Sequence, residues 1–176
     1  EDTLWSINDS GDTARIFALR TTGEDLGEWS INVDHPTDWE AMDSFMLDGK
    51  AYLLIADVGD NFAWRKNISL LLLAEPSLSS DHTKAIEPLW VKTFRFPDGA
   101  RDCEAVTVDS VRGEILLLTK RIFPNELYRL PLQHEILSSR GDLLAEKIAL
   151  INSIPRVKKG DESLYGSAAA FIGMPT

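Results

Sequence analysis

An all-β chain, organised as a β-propeller of four-stranded blades, is the fold class this sequence predicts, and three observations carry it. The pentapeptide Asp38-Trp39-Glu40-Ala41-Met42 returns as Asp102-Cys103-Glu104-Ala105-Val106, 64 residues later, and the same offset pairs Gly49 with Gly113 and Leu53-Leu54 with Leu117-Leu118. A motif that recurs with its downstream strand is an internal repeat. Short apolar runs, many of them alternating, are separated throughout by Gly, Asp, Asn and Pro, which is the pattern of strands joined by turns. No stretch shows a helical period of convincing length. Tandem four-stranded units are the blades of a propeller. A sandwich is the alternative, but it does not predict the repeat.

The elements follow in order. Leu4 to Asn8 and Ala14 to Leu19 flank the turn Asp9-Ser10-Gly11-Asp12, and Leu26 to Val33 adds a third strand around Trp29 and Ile31. The motif strand runs from Asp38 to about Leu47, and Asp48-Gly49 is a hairpin signal. Ala51 to Ala56 and Ile68 to Ala74 are strongly apolar strands, separated by Asp57-Val58-Gly59-Asp60-Asn61. Ser77 to Glu87 reads as a surface loop and Leu89 to Phe96 as an outer strand. Strands are then expected at Asp102 to Val108, Glu114 to Thr119, Leu127 to Leu132 and Lys147 to Ile151, with a loop over Gln133 to Glu146. Asp9-Ser10-Gly11-Asp12 aligns with Asp57-Val58-Gly59-Asp60, so the first unit fits the plan without its leading strand.

The units fall at about residues 1–37, 38–101 and 102–164, with the start of another at 165–176. The last is a weak match, because Gly166 and Ala168 stand where Asp102 and Glu104 would repeat. About three blades are fewer than the roughly 4–8 that close a propeller. The expectation is a fragment of a longer propeller, or self-association if the chain is really this short.

The 176 residues are enough for one domain with a real core, and 44% apolar with 26% charged residues is a globular composition. The net charge of −10 makes nucleic acid and anionic membranes poor partners. No apolar run approaches the roughly 20 residues of a membrane span, and no signal peptide opens the sequence. The single cysteine, Cys103, excludes an internal disulfide and a Cys-rich metal site, and it reads as a core thiol.

On a strand, residues i and i+2 share a face, so Asp38 and Glu40 are expected to point together, as are Asp102 and Glu104. Carboxylates converging from adjacent blades suit a hard cation such as Ca2+ or Mg2+, and Asp57, Asp60 and Asn61 stand ready to add ligands. Three readings stay open for the motif: hydrogen-bonded bracing of blades, metal ligation, and acid–base catalysis. Lys120 and Arg121, which the 64-residue offset aligns with Ala56 and Asp57, read as inter-blade salt bridges or as an anion-binding feature. Asp57 to Asn61 lacks the terminal Glu of an EF-hand. His35, His82 and His134 sit in loops without ligand spacing, and no P-loop or nucleophile elbow is present. Of the five tryptophans, Trp64 is the best surface candidate.

Taken together, Leu4-Trp5 with Asn8-Asp9-Ser10-Gly11, Asp38-Trp39-Glu40, Ala56 to Asn61 with Arg65, Glu75-Pro76, Phe96 to Gly99 with Asp102 to Ala105, and Thr119-Lys120-Arg121 form an ordered motif set. The set resembles a family of bacterial exported propeller proteins of the esterase-like-phytase and lactonase-like type, mostly uncharacterised. The resemblance covers residues 4 to about 121. It implies a periplasmic or extracellular propeller with polar residues gathered at its channel: Asp38, Glu40, Asp57, Asp60, Asn61, Asp102, Glu104, Lys120 and Arg121. It carries no substrate.

Two functions follow as expectations. One is a divalent-cation-dependent hydrolase of phosphate or ester substrates, with Asp38, Glu40, Asp57, Asp60, Asn61, Asp102 and Glu104 as ligands, and Glu40, Glu104, Lys120 and Arg121 in catalytic roles. The other is a non-catalytic propeller binding a small molecule or protein, in which the Asp-x-Glu motifs brace blades.

Overall fold

Strand formation here follows short β-branched and leucine-rich runs, of which Lys50–Asp57 and Ile68–Ala74 at the centre are covered most completely. The computed structural model describes residues 3–9, 11–34, 36–121, 123–132 and 142–152. These hold twelve strands and no helix, arranged in three sheets. The expectations at Ser10, His35, His134 and residues 165–176 lie outside the described residues.

The first sheet is a meander of β1 (Thr3–Ile7), β2 (Arg15–Arg20) and β3 (Asp25–Ser30). The second is built from β4 (Trp39–Leu47), β5 (Lys50–Asp57), β6 (Ile68–Ala74) and β7 (Trp90–Arg95). The third takes β8 (Cys103–Asp109), β9 (Glu114–Thr119) and β10 (Asn125–Pro131), with β12 (Glu146–Ile151) at its edge. All neighbours in these runs are antiparallel. The hairpin at Asp48-Gly49 closes with φ of 49° and 74°, the left-handed pair that a two-residue turn requires.

One short strand, β11 (Leu143–Leu144), was not expected. It leaves the third sheet's sequence to pair in parallel with β7 on the second. The backbone N–H of Ala145 extends this pairing to Arg95 O at 2.9 Å. The first sheet has a matching feature. Ile86, just before β7, bridges in parallel to Ile31 beyond β3, with Ile86 N–H bonded to Ser30 O and Asn32 N–H to Ile86 O, both at 2.8 Å. In each case the lead-in to an outer strand covers the open edge of the preceding sheet, which removes unpaired backbone groups from that edge.

At β5 and β6 the middle sheet is buried on both faces. Leu53, Ile55, Leu71 and Leu73 join Ile16, Ala18 and Trp29 in one core cluster. Leu54, Ala56, Leu70 and Leu72 join Phe94, Ile115, Leu117 and Tyr128 in the other. Coverage on both faces explains why β5 and β6 read as continuous apolar runs rather than alternating ones. Strand β4 lies beside β8 and β1 beside β4. A polar link crosses the first of these seams: Asp43 accepts hydrogen bonds from Val108 N at 2.6 Å and Thr107 Oγ1 at 3.1 Å. Asp43→Ala is expected to lower stability by about 1–2 kcal/mol in urea unfolding by stranding the Val108 N–H. An unchanged midpoint would show that the seam is held by apolar contacts alone.

The repeat is real at the motif strands but drifts beyond them. Both carry a β-bulge at the same place: Trp39 opposes Asp57 while Ala41 opposes Ala56, and Cys103 opposes Thr119 while Ala105 opposes Leu118. Glu40 and Glu104 are therefore the extra residues of equivalent bulges. The third hairpin has shorter arms and a longer turn, Asp109 opposing Glu114 where Leu47 opposes Lys50, so that Thr119 and not Arg121 stands where Asp57 stands. The alignment of Lys120 and Arg121 with Ala56 and Asp57 is corrected accordingly. The cause is length: β4 has nine residues and β8 has seven.

Candidate metal centre at the strand-entry end

The turns at one end of the sheets gather most of the polar residues singled out above. A β-bulge turns a side chain away from strict alternation, and at Glu40 it sets the carboxylate beside that of Asp38. Both lie over Gly59. A Cβ placed there would come within 2.3 Å of Asp38 Oδ2 and 2.6 Å of Glu40 Oε1, so only glycine lets the two acids close over the backbone. Gly59 N–H in turn bonds to Asp38 O at 3.2 Å. Asp9, just past β1, completes the group: one carboxylate oxygen each from Asp9, Asp38 and Glu40 lie within 4.8 Å of one another.

Burial and crowded charge act together on this group. Half-buried Glu40 has its proton affinity pushed up to about 8, first by desolvation and then by Glu104, Asp9 and Asp38, with Lys120 opposing. A carboxyl in that state holds its proton at neutral pH until something positive replaces it.

The remaining predicted ligands are committed elsewhere. Buried Asp57 accepts Thr37 N–H at 2.9 Å, Asp38 N–H at 3.0 Å and Arg65 Nη2 at 2.7 Å, which anchors the entry of β4. Buried Asp60 accepts Trp64 N–H at 3.1 Å and Arg65 N–H at 2.8 Å, shaping its own loop. Asp102 accepts Asp60 N–H at 2.9 Å, which ties the third sheet to the second, and also accepts Arg121 Nε. Asn61 Oδ1 accepts the same guanidinium through Nη2. Lys120 pairs with Glu104 at 2.6 Å. The Lys120–Glu104 and Arg121–Asp102 pairs lie within one sheet rather than between sheets, and the Arg121–Asn61 bond is the one of these that crosses.

Thus Asp38 and Glu40 come together with Asp9, whereas Asp57, Asp60, Asn61 and Asp102 form a separate bracing network. Asp102 and Glu104 do not reproduce the Asp38–Glu40 pair, because each is drawn to its own cation. Asp9 and Gly59 were missed as site residues. The alignment of Asp9 with Asp57 was the available signal for the first. Cys103 is fully buried, its Sγ donating to Leu118 O at 3.3 Å and its thiol pushed up to about 12 by burial, as a core thiol should be. Among the described residues no helix is long and apolar enough to cross a membrane.

A comparison with known protein families, with curated proteins and with solved structures finds no match to this chain.

Proposed function

We propose that the chain contributes consecutive blades to a β-propeller and binds a divalent cation, Ca2+ by preference, at Asp9, Asp38 and Glu40. The propeller reading is supported by three stacked meanders, equivalent bulges at Glu40 and Glu104, and the recurring edge cover at Ile86 and β11. The cation reading rests on one observation: three carboxylates within 4.8 Å across a seam between two sheets. Oxygen-only ligands of this kind favour hard cations, and a cation would offset the desolvation and the neighbouring negative charge that together push Glu40 up to about 8. A periplasmic or extracellular setting belongs to the same reading, since extracellular Ca2+ sites work at modest affinity.

The experiment is calorimetric titration of Ca2+ and Mg2+ across pH. Below about 8 the ion must displace the Glu40 proton, and above it the carboxylate is already ionised. Affinity is therefore expected to rise by up to about tenfold per pH unit between pH 6 and 8, then level off. The charged groups acting on Glu40 are Asp9, Asp38, Glu104 and Lys120, and none of the other three acids reverses that direction. A folded protein that takes up neither ion would end the proposal.

A hydrolase acting on a phosphate or ester substrate is the second reading. What favours it is geometry: Asp9, Asp38 and Glu40 converge at a seam between two sheets, where a bound cation would activate water. In this reading Asp9 and Asp38 would hold the cation and Glu40 would serve as base beside it, with Glu104 and Lys120 as its charged neighbours. Hydrolysis of an aryl ester or aryl phosphate that is lost with chelator and lost in Glu40→Gln would support it.

A further inference from the structure

The same end of the middle sheet carries a second concave feature. Residues following β5 and residues following β7 enclose a cleft of about 430 Å3. Its walls include Arg65, Lys66, Arg95 and Arg101, and no carboxylate lines it. The chain has 28 acidic against 18 basic residues, so composition alone does not produce such a wall. Two of the cations are fixed by the scaffold. Arg65 is held by Asp57 and by Gly59 O, at 2.7 Å each. Arg101 is held by Glu126 at 2.7 Å and Asp98 at 3.2 Å. Asp98 belongs to the same loop, but its carboxylate is engaged by Arg101, Lys147 and Tyr128. Lys66 and Arg95 differ: both are exposed and no acid among the described residues pairs with them.

An aromatic surface adjoins the charges. Trp64 lines the cleft and is 73% exposed, and its ring centroid lies 4.9 Å from that of Phe62, which is 74% exposed. Two large rings held together in water forgo the burial that aromatic residues usually find in a core. The short loop from Asp60 presents them rather than hiding them, because Asp60 captures the N–H groups of Trp64 and Arg65 and Ala63 adopts a φ of 52°.

We propose that this cleft binds a small organic anion carrying a planar ring, an aryl phosphate or aryl carboxylate, with Lys66 and Arg95 holding the anion and the ring laid on Trp64. Charge-assisted hydrogen bonds supply the anchor. The open tryptophan face supplies a stacking surface that any planar ring can use. The cleft is separate from the carboxylate cluster and its occupancy needs no divalent cation.

The test uses the full chain in chelator, so its result does not depend on cation binding. Phenyl phosphate and inorganic phosphate are titrated separately and followed by phosphorus NMR. Phenyl phosphate is expected to bind saturably. The double variant Lys66→Ala/Arg95→Ala should weaken both probes by about tenfold or more. Trp64→Ala should weaken phenyl phosphate by about fivefold and leave inorganic phosphate unchanged. All three side chains are exposed, so the variants should keep the wild-type circular dichroism. Absence of saturable binding up to about 10 mM would overturn the proposal, and so would wild-type affinity in the double variant.

Discussion

Replacing Glu40 with Gln is expected to raise the melting temperature of the cation-free protein at pH 8, and to abolish any further rise on adding Ca2+. The sign follows from the proton affinities. Glu40 ionises near 4.5 in an unfolded chain and at about 8 in the fold, so between those values the folded state holds a proton that the unfolded state has lost. Stability therefore falls as pH rises from about 4.5 to about 8, and the penalty is complete above that. The amide cannot ionise and escapes it. Partial solvent screening of a half-buried group limits the gain to about 1–2 kcal/mol at pH 8, vanishing near pH 4. Wild-type protein should recover the same stability from the ion by mass action. A bracing role predicts the opposite: a lower melting temperature in Glu40→Gln with or without cation. Thermal melts of both proteins at pH 4 and pH 8, with chelator and with Ca2+, separate the two.

The second large effect comes from the other half of the repeat. Asp102→Ala is expected to cost about 2–3 kcal/mol in denaturant unfolding, at every cation concentration, because it strands the buried Asp60 N–H and releases Arg121. Asp38→Ala, at the equivalent motif position, is expected to cost less and to remove the response to Ca2+. The motif thus has two occupations in one protein. In the second sheet its acids face Asp9 and each other over Gly59. In the third, Lys120 and Arg121 neutralise them. Equal losses in the two variants, with the Ca2+ response intact in both, would show that neither acid binds the ion.

Eleven of the twelve strands among the described residues were readable, because each is a run with recurring apolar positions bounded by turn residues. Strands expected at Ile68 to Ala74 and Glu114 to Thr119 match β6 and β9 at both ends. Strand β11 was not readable. Leu143–Leu144 is two residues long, and what makes it a strand is the open edge of β7 on a sheet that the chain left 48 residues earlier. Local pattern carries no trace of a partner at that distance.

The site divides along the same line. Residue types and their offset marked Asp38, Glu40, Asp102 and Glu104 as equivalents, and equivalent they are in backbone, down to the bulge. Their chemistry is not equivalent, because it depends on which charges the neighbouring sheet and the following loop bring near. Asp9 arrives from the first sheet, and Gly59 makes room for the pair.

By itself, then, the sequence determined an all-β chain with a recurring strand plan, an acidic balance and a marked end where carboxylates collect. Periodicity, turn chemistry and composition are local properties, and they suffice for that much. Only the tertiary structure decided that Asp57, Asp60 and Asp102 serve as braces while Asp9, Asp38 and Glu40 form a cation-sized cluster. A carboxylate's role is set by the donors and charges within a few ångströms of it, and those come from residues far away along the chain.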